Sequence, residues 1–395
     1  MRSMSDRIAE IQESLFQAEI DGWLFYDFRG SDPIGYRVLG ISQGAVASRR
    51  WYYFVPAWGE PTKLVHRIES RALVALPGKE ILYLSHEELA EGLKAMLSGS
   101  KRVAMQYSPM NAIPYLSRAD AGTVELVRSL GVEVVSSQDL IQGFEAVWTP
   151  GQLESHLFAA NVLVEMVNEA FAHIAKKLKG GLTDHSLQQF IRKRLEAHGL
   201  APEQAPLVAV NAHSADPHFA PTEETSFPIK EGDFVLLDLW GRKLGPESVY
   251  ADITWVGYVG QDIPEENQKV FAIVKAARDE AIRFVSERWS EKQEIRGFEV
   301  DDAARRVIRE AGYGDFFIHR LGHSLGQEGH GNGTNLDNLE AHDERRLVAH
   351  TGFTIEPGIY LPGKFGVRSE VDLYLADEEV RVTTQPVQEE IARIL

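Results

Sequence analysis

The C-terminal half of the chain places four acidic residues in apolar, strand-like segments: Asp238, Asp252, Glu356 and Glu370. Asp238 ends the apolar run 234–237, and Asp252 stands among β-branched and aromatic residues that favour a half-buried strand. Each glutamate follows a short apolar approach of the same kind. Burying a single unpaired carboxylate costs roughly several kcal/mol. A fold built on this pattern therefore has to bring cations to these acids.

Two divalent metal ions would neutralise such a set of carboxylates. His323 adds a nitrogen donor, and its flanking glycines allow the backbone to approach closely. Carboxylates combined with one imidazole suit Mn²⁺ or Co²⁺, and also Zn²⁺, better than copper or an iron-sulfur cluster. The chain has no cysteine, which excludes thiolate ligands. The sequence predicts two metal ions, with manganese favoured, held by Asp238, Asp252, His323, Glu356 and Glu370.

Each of these residues has a simpler explanation when it is taken alone. An acid after a strand commonly forms a turn or caps a helix. Glu356, which precedes Pro357 and Gly358, fits a surface turn, and His323 fits an ordinary hydrogen-bonded buried histidine. Independent surface acids, however, have no reason to occupy four apolar strand contexts in one chain. The joint pattern therefore favours metal ligands.

The same motifs resemble those of the pita-bread metallopeptidases, the family that contains methionine aminopeptidase, aminopeptidase P, prolidase and creatinase. The resemblance covers about residues 150–390 and rests on five segments: 236–239, 251–254, 319–323, 354–358 and 366–370. It implies an α+β fold, with a C-terminal pita-bread domain built from a curved antiparallel sheet and pseudo-twofold helix pairs. A smaller α/β domain of the creatinase and prolidase type would precede it. The prolidase and aminopeptidase P branch, which has such a domain, cleaves the bond between an N-terminal residue and proline.

The resemblance also implies roles for individual residues around the metal ions. Glu356 resembles the ligand that takes the proton of the nucleophile. His218 and His330 resemble histidines that stabilise the tetrahedral oxyanion or the departing nitrogen. His319 and Arg368 match positions near the site that would contact substrate. From the residues alone, the two loop histidines are equally explained as having no role, and His319 and Arg368 as partners of nearby acids.

The predicted ligand set suits hydrolysis of an unusual peptide bond. Two closely spaced metal ions lower the pKa of a bound water and polarise the scissile carbonyl. A Xaa-Pro bond is a tertiary amide without an N–H. Peptidases that bind their substrate through this N–H recognise the bond poorly, whereas activation by metal does not need it. The chain departs from the family in two places: segment 241–249 lengthens the hairpin between the first two ligands, and Trp255 stands where many relatives carry arginine.

The length of 395 residues and an apolar content of 44% fit two domains. Residues 1–150 alternate helical and strand patterns, and we expect this domain to cover the site, select substrate and make oligomer contacts. Residues 151–395 form the predicted catalytic domain, with a long helix from about residue 152 and a second helix capped by Thr183. In the first domain, Arg49, Arg50 and the aromatic run 51–54 either line a pocket or pack in the core, and packing is favoured.

The charge balance restricts the partners of the chain. Acidic residues number 58 and basic residues 41, which gives a net charge of −17 and argues against nucleic acid or an anionic membrane surface. The N-terminus lacks a signal-peptide pattern, and the sequence has no uninterrupted apolar run of membrane-spanning length. We therefore expect a cytoplasmic enzyme that acts on small peptides, and the family resemblance suggests a homodimer.

The leading hypothesis for function is hydrolysis of Xaa-Pro dipeptides. A dipeptidase is preferred to a Xaa-Pro aminopeptidase acting on longer peptides, because the chain ends soon after the last ligand strand. A creatinase-like amidinohydrolase and a non-catalytic peptide-binding module are the alternatives from other classes. Metal-free members of the fold lose the acidic ligands, whereas all five ligand positions are filled here, which argues against both alternatives.

Overall fold

The computed structural model describes residues 4–41, 47–201, 205–245 and 247–395. The chain separates into two compact units, Met1–Glu145 and Ala146–Leu395. The sequence placed this boundary at residue 150, at the start of the long helix that opens the second unit. Each unit has hydrophobic clusters of its own and is described separately.

The N-terminal unit is a mixed six-stranded sheet in the order β4-β3-β2-β1-β5-β6. Its strands are β1 (Gly22–Asp27), β2 (Trp51–Pro56), β3 (Thr62–His66), β4 (Lys79–Tyr83), β5 (Arg102–Met105) and β6 (Glu133–Ser136). Its helices are α1 (Met4–Gln17), α2 (Pro33–Val38), α3 (His86–Met96), α4 (Ala121–Ser129) and α5 (Gln138–Glu145). Only β2 runs against its neighbours, so the other strands end at the same edge of the sheet.

Helices cover both faces of this sheet. The aromatic run 51–54 of β2 contributes side chains to the hydrophobic clusters on both faces. Trp51 and Tyr53 pack in a cluster on one face, and Tyr52 and Phe54 pack in a cluster on the other. This division follows the two-residue alternation of a strand. The packing explanation for the aromatic run is therefore correct.

The C-terminal unit contains two helix pairs, as the sequence pattern predicted. The first pair is α6 (Pro150–Lys177) and α7 (Asp184–Ala197), and the second is α8 (Glu265–Ser290) and α9 (Gly297–Glu310). Thr183 caps α7 through its side-chain oxygen, as predicted. Thr149 caps α6 in the same way. Leu163 of α6 and Leu237 share one hydrophobic cluster, whereas Val274 of α8 belongs to a second one.

The segment Pro150–Gly180, which includes α6, is long and apolar enough by composition to cross a membrane. Within the protein, however, 56% of its most apolar window is buried. Leu163, Val167 and Ile174 pack together with residues of α7 in one cluster. These contacts are those of a central helix in a globular core.

Among the described residues, the strands of the C-terminal unit form three hydrogen-bonded sheets. The first has the order β17-β10-β9-β7, with β8 also on β9; the second is β11-β12-β15-β16; and the third is the hairpin β13-β14. The strands are β7 (Leu200–Ala201), β8 (Leu207–Val210), β9 (Phe234–Lys243), β10 (Ala251–Tyr258), β11 (Ser324–Leu325), β12 (Gly352–Ile355), β13 (Gly358–Leu361), β14 (Phe365–Arg368), β15 (Val371–Leu375), β16 (Val380–Val382) and β17 (Ala392–Arg393). Together with the helix pairs they confirm the predicted α+β fold.

Backbone N–H groups form two of the hydrogen bonds that join the first two sheets of this unit. The Glu370 N–H donates to the Thr254 carbonyl at 3.2 Å, and the Asp252 N–H donates to Asp372 Oδ2 at 2.9 Å. Both bonds involve β10 and the start of β15. The carboxylate-bearing residues therefore lie at the junction of the sheets.

Gly322 allows the backbone before His323 to pass close to β12. A Cβ atom at this position would lie 2.0 Å from the Thr354 carbonyl oxygen, which is too close for any side chain. The His323 N–H donates to Thr354 Oγ1 at 3.0 Å, so this contact sets the position of the histidine. The expected close approach at a flanking glycine is confirmed.

We expect Gly322→Ala to lower the free energy of unfolding by about 1–3 kcal/mol, because the added methyl group has to push β12 away. Divalent-ion binding is expected to weaken as well, since His323 would move. Urea unfolding and calorimetric metal titration measure the two effects. Gly329→Ala is the matched control, because a Cβ there meets nothing within 4 Å. Equal stability of the two variants would contradict the role given to Gly322.

Candidate metal centre

The register of β9 and β10 places two of the predicted ligands side by side. Thr254 lies directly opposite Asp238, and Asp252 lies two residues before Thr254 on the same strand. Residues two apart on a strand face the same side. Asp238, Thr254 and Asp252 therefore point toward one space.

His323, Glu356 and Glu370 reach the same space from the second sheet and its connections. Ligand atoms of Asp252, His323 and Glu370 all lie within 4.8 Å of one another, so the three form a group able to hold a metal ion. His323 Nε2 lies 3.8 Å from Asp252 Oδ2 and 3.5 Å from Glu356 Oε1. The structure thus brings together four of the five predicted ligands around His323.

Asp238, the fifth predicted ligand, is connected to this group through Thr254. The Thr254 hydroxyl lies 2.7 Å from Glu370 Oε2 and 3.3 Å from Asp238 Oδ1. Arg368 Nη2 donates to Asp238 Oδ2, and Arg368 Nε donates to Thr254 Oγ1 at 2.9 Å. Asp238 therefore borders the ligand group while Arg368 neutralises part of its charge.

The carboxylates of the cluster are held in an environment that penalises their charge. Burial, followed by the repulsion of Glu370 and Asp238, raises the pKa of Asp252 well above its ordinary value. Burial and then Glu356 raise the pKa of Glu370 in the same way. Burial also raises the pKa of Glu356 to about 7, against the lowering influence of Arg368 and Arg320.

This donor set fits divalent cations. Asp252 Oδ1 is buried and receives no hydrogen bond from the residues that the structure describes, and an ion would satisfy it. Burial lowers the pKa of His323 well below its ordinary value, which keeps the ring neutral as a metal ligand requires. One imidazole among carboxylates suits Mn²⁺, Co²⁺ or Zn²⁺. Asp252, His323 and Glu370 would hold the ion, with Glu356 and Asp238 beside them.

His319 and Arg368, predicted to contact substrate, are bonded to the protein in a single chain. Arg368 Nη1 contacts the Tyr360 hydroxyl at 3.4 Å, and that hydroxyl lies 2.8 Å from His319 Nε2. His319 Nδ1 lies 2.7 Å from the Arg320 carbonyl, so this nitrogen carries the proton and Nε2 accepts from Tyr360. Both ring nitrogens of His319 are therefore used within the protein. The hydrogen bonds of this pair lead to Asp238, and contact of either residue with substrate stays a prediction.

His218 and His330 lie on exposed segments beside the cluster. The His330 ring packs edge-on against His323, with ring centroids 4.4 Å apart. Burial of part of the ring, followed by the charges of Arg320 and His218, lowers the pKa of His330 to about 4. His218 follows Pro217, whose carbonyl lies 3.4 Å from Arg368 Nη1. Contact of either histidine with substrate stays a prediction.

One of the two departures from the family pattern, Trp255, points away from the ligand atoms. Trp255 follows Thr254 on β10, so its side chain points to the opposite face, where it packs against the cluster of α6 and α7. In segment 241–249, residues 241–243 belong to β9, where Arg242 and Lys243 pair with β7, and residue 246 lies outside the described residues. Replacement of arginine by Trp255 therefore changes the packing against helices, not the lining of the cluster.

Several residues next to the ligand cluster were not predicted from the sequence. Arg320 is buried; its charge opposes the rise that burial causes in the pKa of Glu356 and adds to the lowering that burial causes in the pKa of His323. Asp372 accepts the Asp252 N–H and lies 3.9 Å from His156 Nε2. The alternation of β15 offered a signal for Asp372, because it stands two residues after Glu370. Contacts such as those of His156, on α6, carry no comparable local signal.

Comparisons with known proteins agree with this arrangement. The model of Metallopeptidase family M24 matches residues 160–377, more than half of the chain. An uncharacterized peptidase of Schizosaccharomyces pombe is 33% identical over 207 residues, which cover 52% of this chain and 43% of that protein. The probable dipeptidase PepE of Mycobacterium tuberculosis is 28% identical over 345 residues, covering 85% of this chain and 84% of the relative.

A solved structure shares the fold over the full length. The prolidase of Thermococcus sibiricus superposes with a TM-score of 0.66 at 23% identity, covering 99% of this chain and 100% of the prolidase. The fold and the ligand cluster define a metallopeptidase of the pita-bread type. The chain belongs to metallopeptidase family M24, which confirms the resemblance found in the sequence and supports metal-dependent hydrolysis of peptides.

We expect the metal-free protein to lose stability as the pH rises. The folded-state pKa of Glu356 is raised from 4.5 to about 7, so its contribution is complete below pH 4.5 and is lost as the pH rises through 7. Glu356 alone accounts for on the order of 3 kcal/mol, and Asp252 and Glu370 act in the same direction. Urea unfolding of chelator-treated protein at pH 5 and pH 9 measures the difference.

Added Mn²⁺ is expected to restore stability at pH 9, because it binds the ionised carboxylates. Glu356→Gln removes one titrating group and is expected to reduce the difference between the two pH values. Stability of the metal-free protein that is unchanged or greater at pH 9 would contradict this description of the cluster.

Proposed function

We propose that the protein hydrolyses Xaa-Pro dipeptides. The observation that carries the proposal is the ligand group of Asp252, His323 and Glu370, with Glu356 beside it and Asp238 at its border. Divalent ions bound there supply Lewis acidity and lower the pKa of water. Support for a prolidase-like substrate comes from the relatives that are named as a dipeptidase and a prolidase.

Glu356 is the proposed proton carrier. Its Oε1 atom lies 3.2 Å from the Thr354 hydroxyl and 3.5 Å from His323 Nε2, while Oε2 lies 3.9 Å from Arg368 Nε. Contacts on both oxygens hold the carboxylate in one orientation. A fixed carboxylate next to the reacting centre can take the proton of the nucleophile and pass it to the leaving nitrogen. Proline nitrogen needs that proton, because a dialkyl amide anion is a very poor leaving group.

His330 and His218 are the proposed donors to the substrate. His330 stands against His323 and remains exposed, so an N–H of its ring is available to the carbonyl oxygen as negative charge develops. His218 is exposed on the neighbouring segment and close enough for its charge to lower the pKa of His330. The pair would therefore bind the carbonyl side and the proline side of the scissile bond.

The positive charge of Arg320 supports a dipeptide, rather than a longer peptide, as the preferred substrate. Its side chain is buried, and its charge acts on His319, His323, His330 and Glu356. A dipeptide carries a free carboxylate one residue from the scissile bond, and a buried guanidinium is a strong partner for such a group. A longer peptide has no charge at that position. Manganese as the ion, a homodimer and a cytoplasmic location are proposals that follow from the sequence.

The proposal is tested by assaying protein that has been stripped with chelator and reloaded with Mn²⁺, Co²⁺ or Zn²⁺. We expect metal-dependent cleavage of Ala-Pro and little cleavage of Ala-Pro-Ala, with Glu356→Gln inactive toward both because the proton carrier is lost. Cleavage of both peptides would indicate an aminopeptidase. Failure to cleave either peptide by protein with bound metal would refute Xaa-Pro hydrolysis and favour another amide substrate.

We expect Arg320→Gln to lower kcat/KM for Ala-Pro by about 10- to 100-fold, which is the usual effect of losing a hydrogen bond to a charged group. Hydrolysis of Ala-Pro amide, which has no carboxylate, is expected to fall clearly less, because only the effect of the Arg320 charge on Glu356 and the histidines is lost. Arg309→Gln, at the exposed end of α9, is the matched control. A loss of the same size on both substrates would show that Arg320 only maintains the structure.

A further inference from the structure

A cavity of about 810 Å³ lies within the N-terminal unit. Phe28, His66 and Leu84 line it, and these residues stand at or just after the ends of β1, β3 and β4. Gly122, in the first turn of α4, lines another wall. Small-molecule sites have volumes of about 300–1,000 Å³. In open α/β sheets such ligands bind outside the carboxyl ends of the strands, which is where this cavity lies.

The lining is basic in a strongly acidic protein. Arg49, Arg50, His66 and His86 line the cavity, and Asp120 is the acidic residue that does so. The whole chain, in contrast, has a net charge of −17. This local reversal of charge is what an anion site requires.

The charged groups around the cavity differ in whether they already form ion pairs or hydrogen bonds within the protein. Arg49 lies 3.7 Å from Glu69, which also accepts from the Ser48 hydroxyl. Asp120 caps α4, accepting from the Thr123 backbone N–H at 2.9 Å and its hydroxyl at 2.8 Å. Arg50 is only partly exposed and forms no ion pair with any residue that the structure describes. Its guanidinium is therefore the cation available to a ligand.

Two further donors face the same space. His66 Nδ1 accepts the Ile68 N–H at 3.2 Å, so the proton of the neutral ring is on Nε2. The backbone N–H of Gly122 belongs to the first turn of α4, where no intrahelical acceptor exists. The positive end of the helix dipole adds to the attraction of an anion there.

Tyr52 provides an independent sign of an unfilled polar site. The side chain is fully buried, and its hydroxyl makes no hydrogen bond of normal geometry with the described residues. Burial raises the pKa of Tyr52, and the nearby Thr123 hydroxyl opposes this rise. The charges of Arg50 and the hydroxyls of Tyr26 and Tyr83 also act on it. These neighbours all line the cavity, so the unsatisfied hydroxyl lies beneath its floor.

We propose that this cavity binds a small ligand that carries a carboxylate or phosphate group on a flat apolar body. Arg50 would bind the oxyanion, with His66 Nε2 and the Gly122 N–H as further donors. Tyr26, Phe28 and Tyr83 would contact the apolar body; Phe28 is an aromatic residue that is 41% exposed without a ligand. The site consists entirely of residues of the N-terminal unit and contains none of the metal ligands.

The test uses the full-length, chelator-treated protein and three probes in calorimetric titrations: inorganic phosphate, phenyl phosphate and benzoate. We expect saturable binding of phenyl phosphate or benzoate, and at least about tenfold weaker binding by Arg50→Gln, because a charge-assisted hydrogen bond is lost. His66→Phe, which keeps a ring next to Tyr83, is expected to weaken binding as well. Arg71→Gln, an exposed arginine of the same unit outside the cavity, is the matched control.

Thermal unfolding of each variant shows whether it is folded. Preference for phenyl phosphate or for benzoate distinguishes a phosphate from a carboxylate ligand, and either preference supports the site if Arg50→Gln removes it. Binding that Arg50→Gln and Arg71→Gln leave equally strong would place the anion elsewhere and overturn the proposal. Absence of saturable binding of all three probes would overturn it too.

Discussion

Mutual repulsion among buried carboxylates is the constraint on which the C-terminal unit depends. Asp252, Glu356 and Glu370 have raised pKa values because burial and their neighbours oppose their charge. A protein retains such an arrangement at a cost in stability. Divalent cations remove that cost by supplying positive charge where the side chains converge, so stability and metal binding are coupled in this unit.

The surrounding structure holds the ligands without supplying enough positive charge to neutralise them. Thr254 bridges Asp238 and Glu370, Thr354 orients Glu356 and the His323 backbone, and Asp372 fixes the Asp252 backbone. Arg368 is the main internal cation, and it is directed at Asp238. The group of Asp252, His323 and Glu370 would therefore remain to hold an ion, while Thr254, Thr354 and Asp372 would keep the ligands in position.

The sequence was sufficient to predict the parts of the site that depend on local pattern. Each predicted ligand stands in a strand-like or glycine-flanked motif, and the paired helices follow from periodicity, whereas the α+β fold was implied by the family resemblance of these motifs. Contacts between distant segments were not accessible. The link from Arg368 through Tyr360 to His319, for example, depends on the pairing of β13 with β14.

The same limit applies to the N-terminal unit. The aromatic run 51–54 was correctly predicted to pack in the core, because alternation along a strand determines its burial. The neighbouring Arg50, for which packing was also favoured, lines a cavity instead. The sequence does not show this cavity, because it is formed by the ends of strands that are far apart in the chain. Alternation along a strand determines which face of the sheet a side chain occupies. The residues that it contacts on that face come from distant segments and are set by the tertiary structure.

The most direct test of the metal centre is anomalous diffraction at the manganese edge from crystals of the protein soaked in Mn²⁺. The ligand cluster predicts two anomalous peaks among Asp238, Asp252, His323, Glu356 and Glu370, with one of them bound by Asp252, His323 and Glu370. Absence of any peak within this cluster at saturating Mn²⁺, or peaks at surface acids alone, would contradict the assignment.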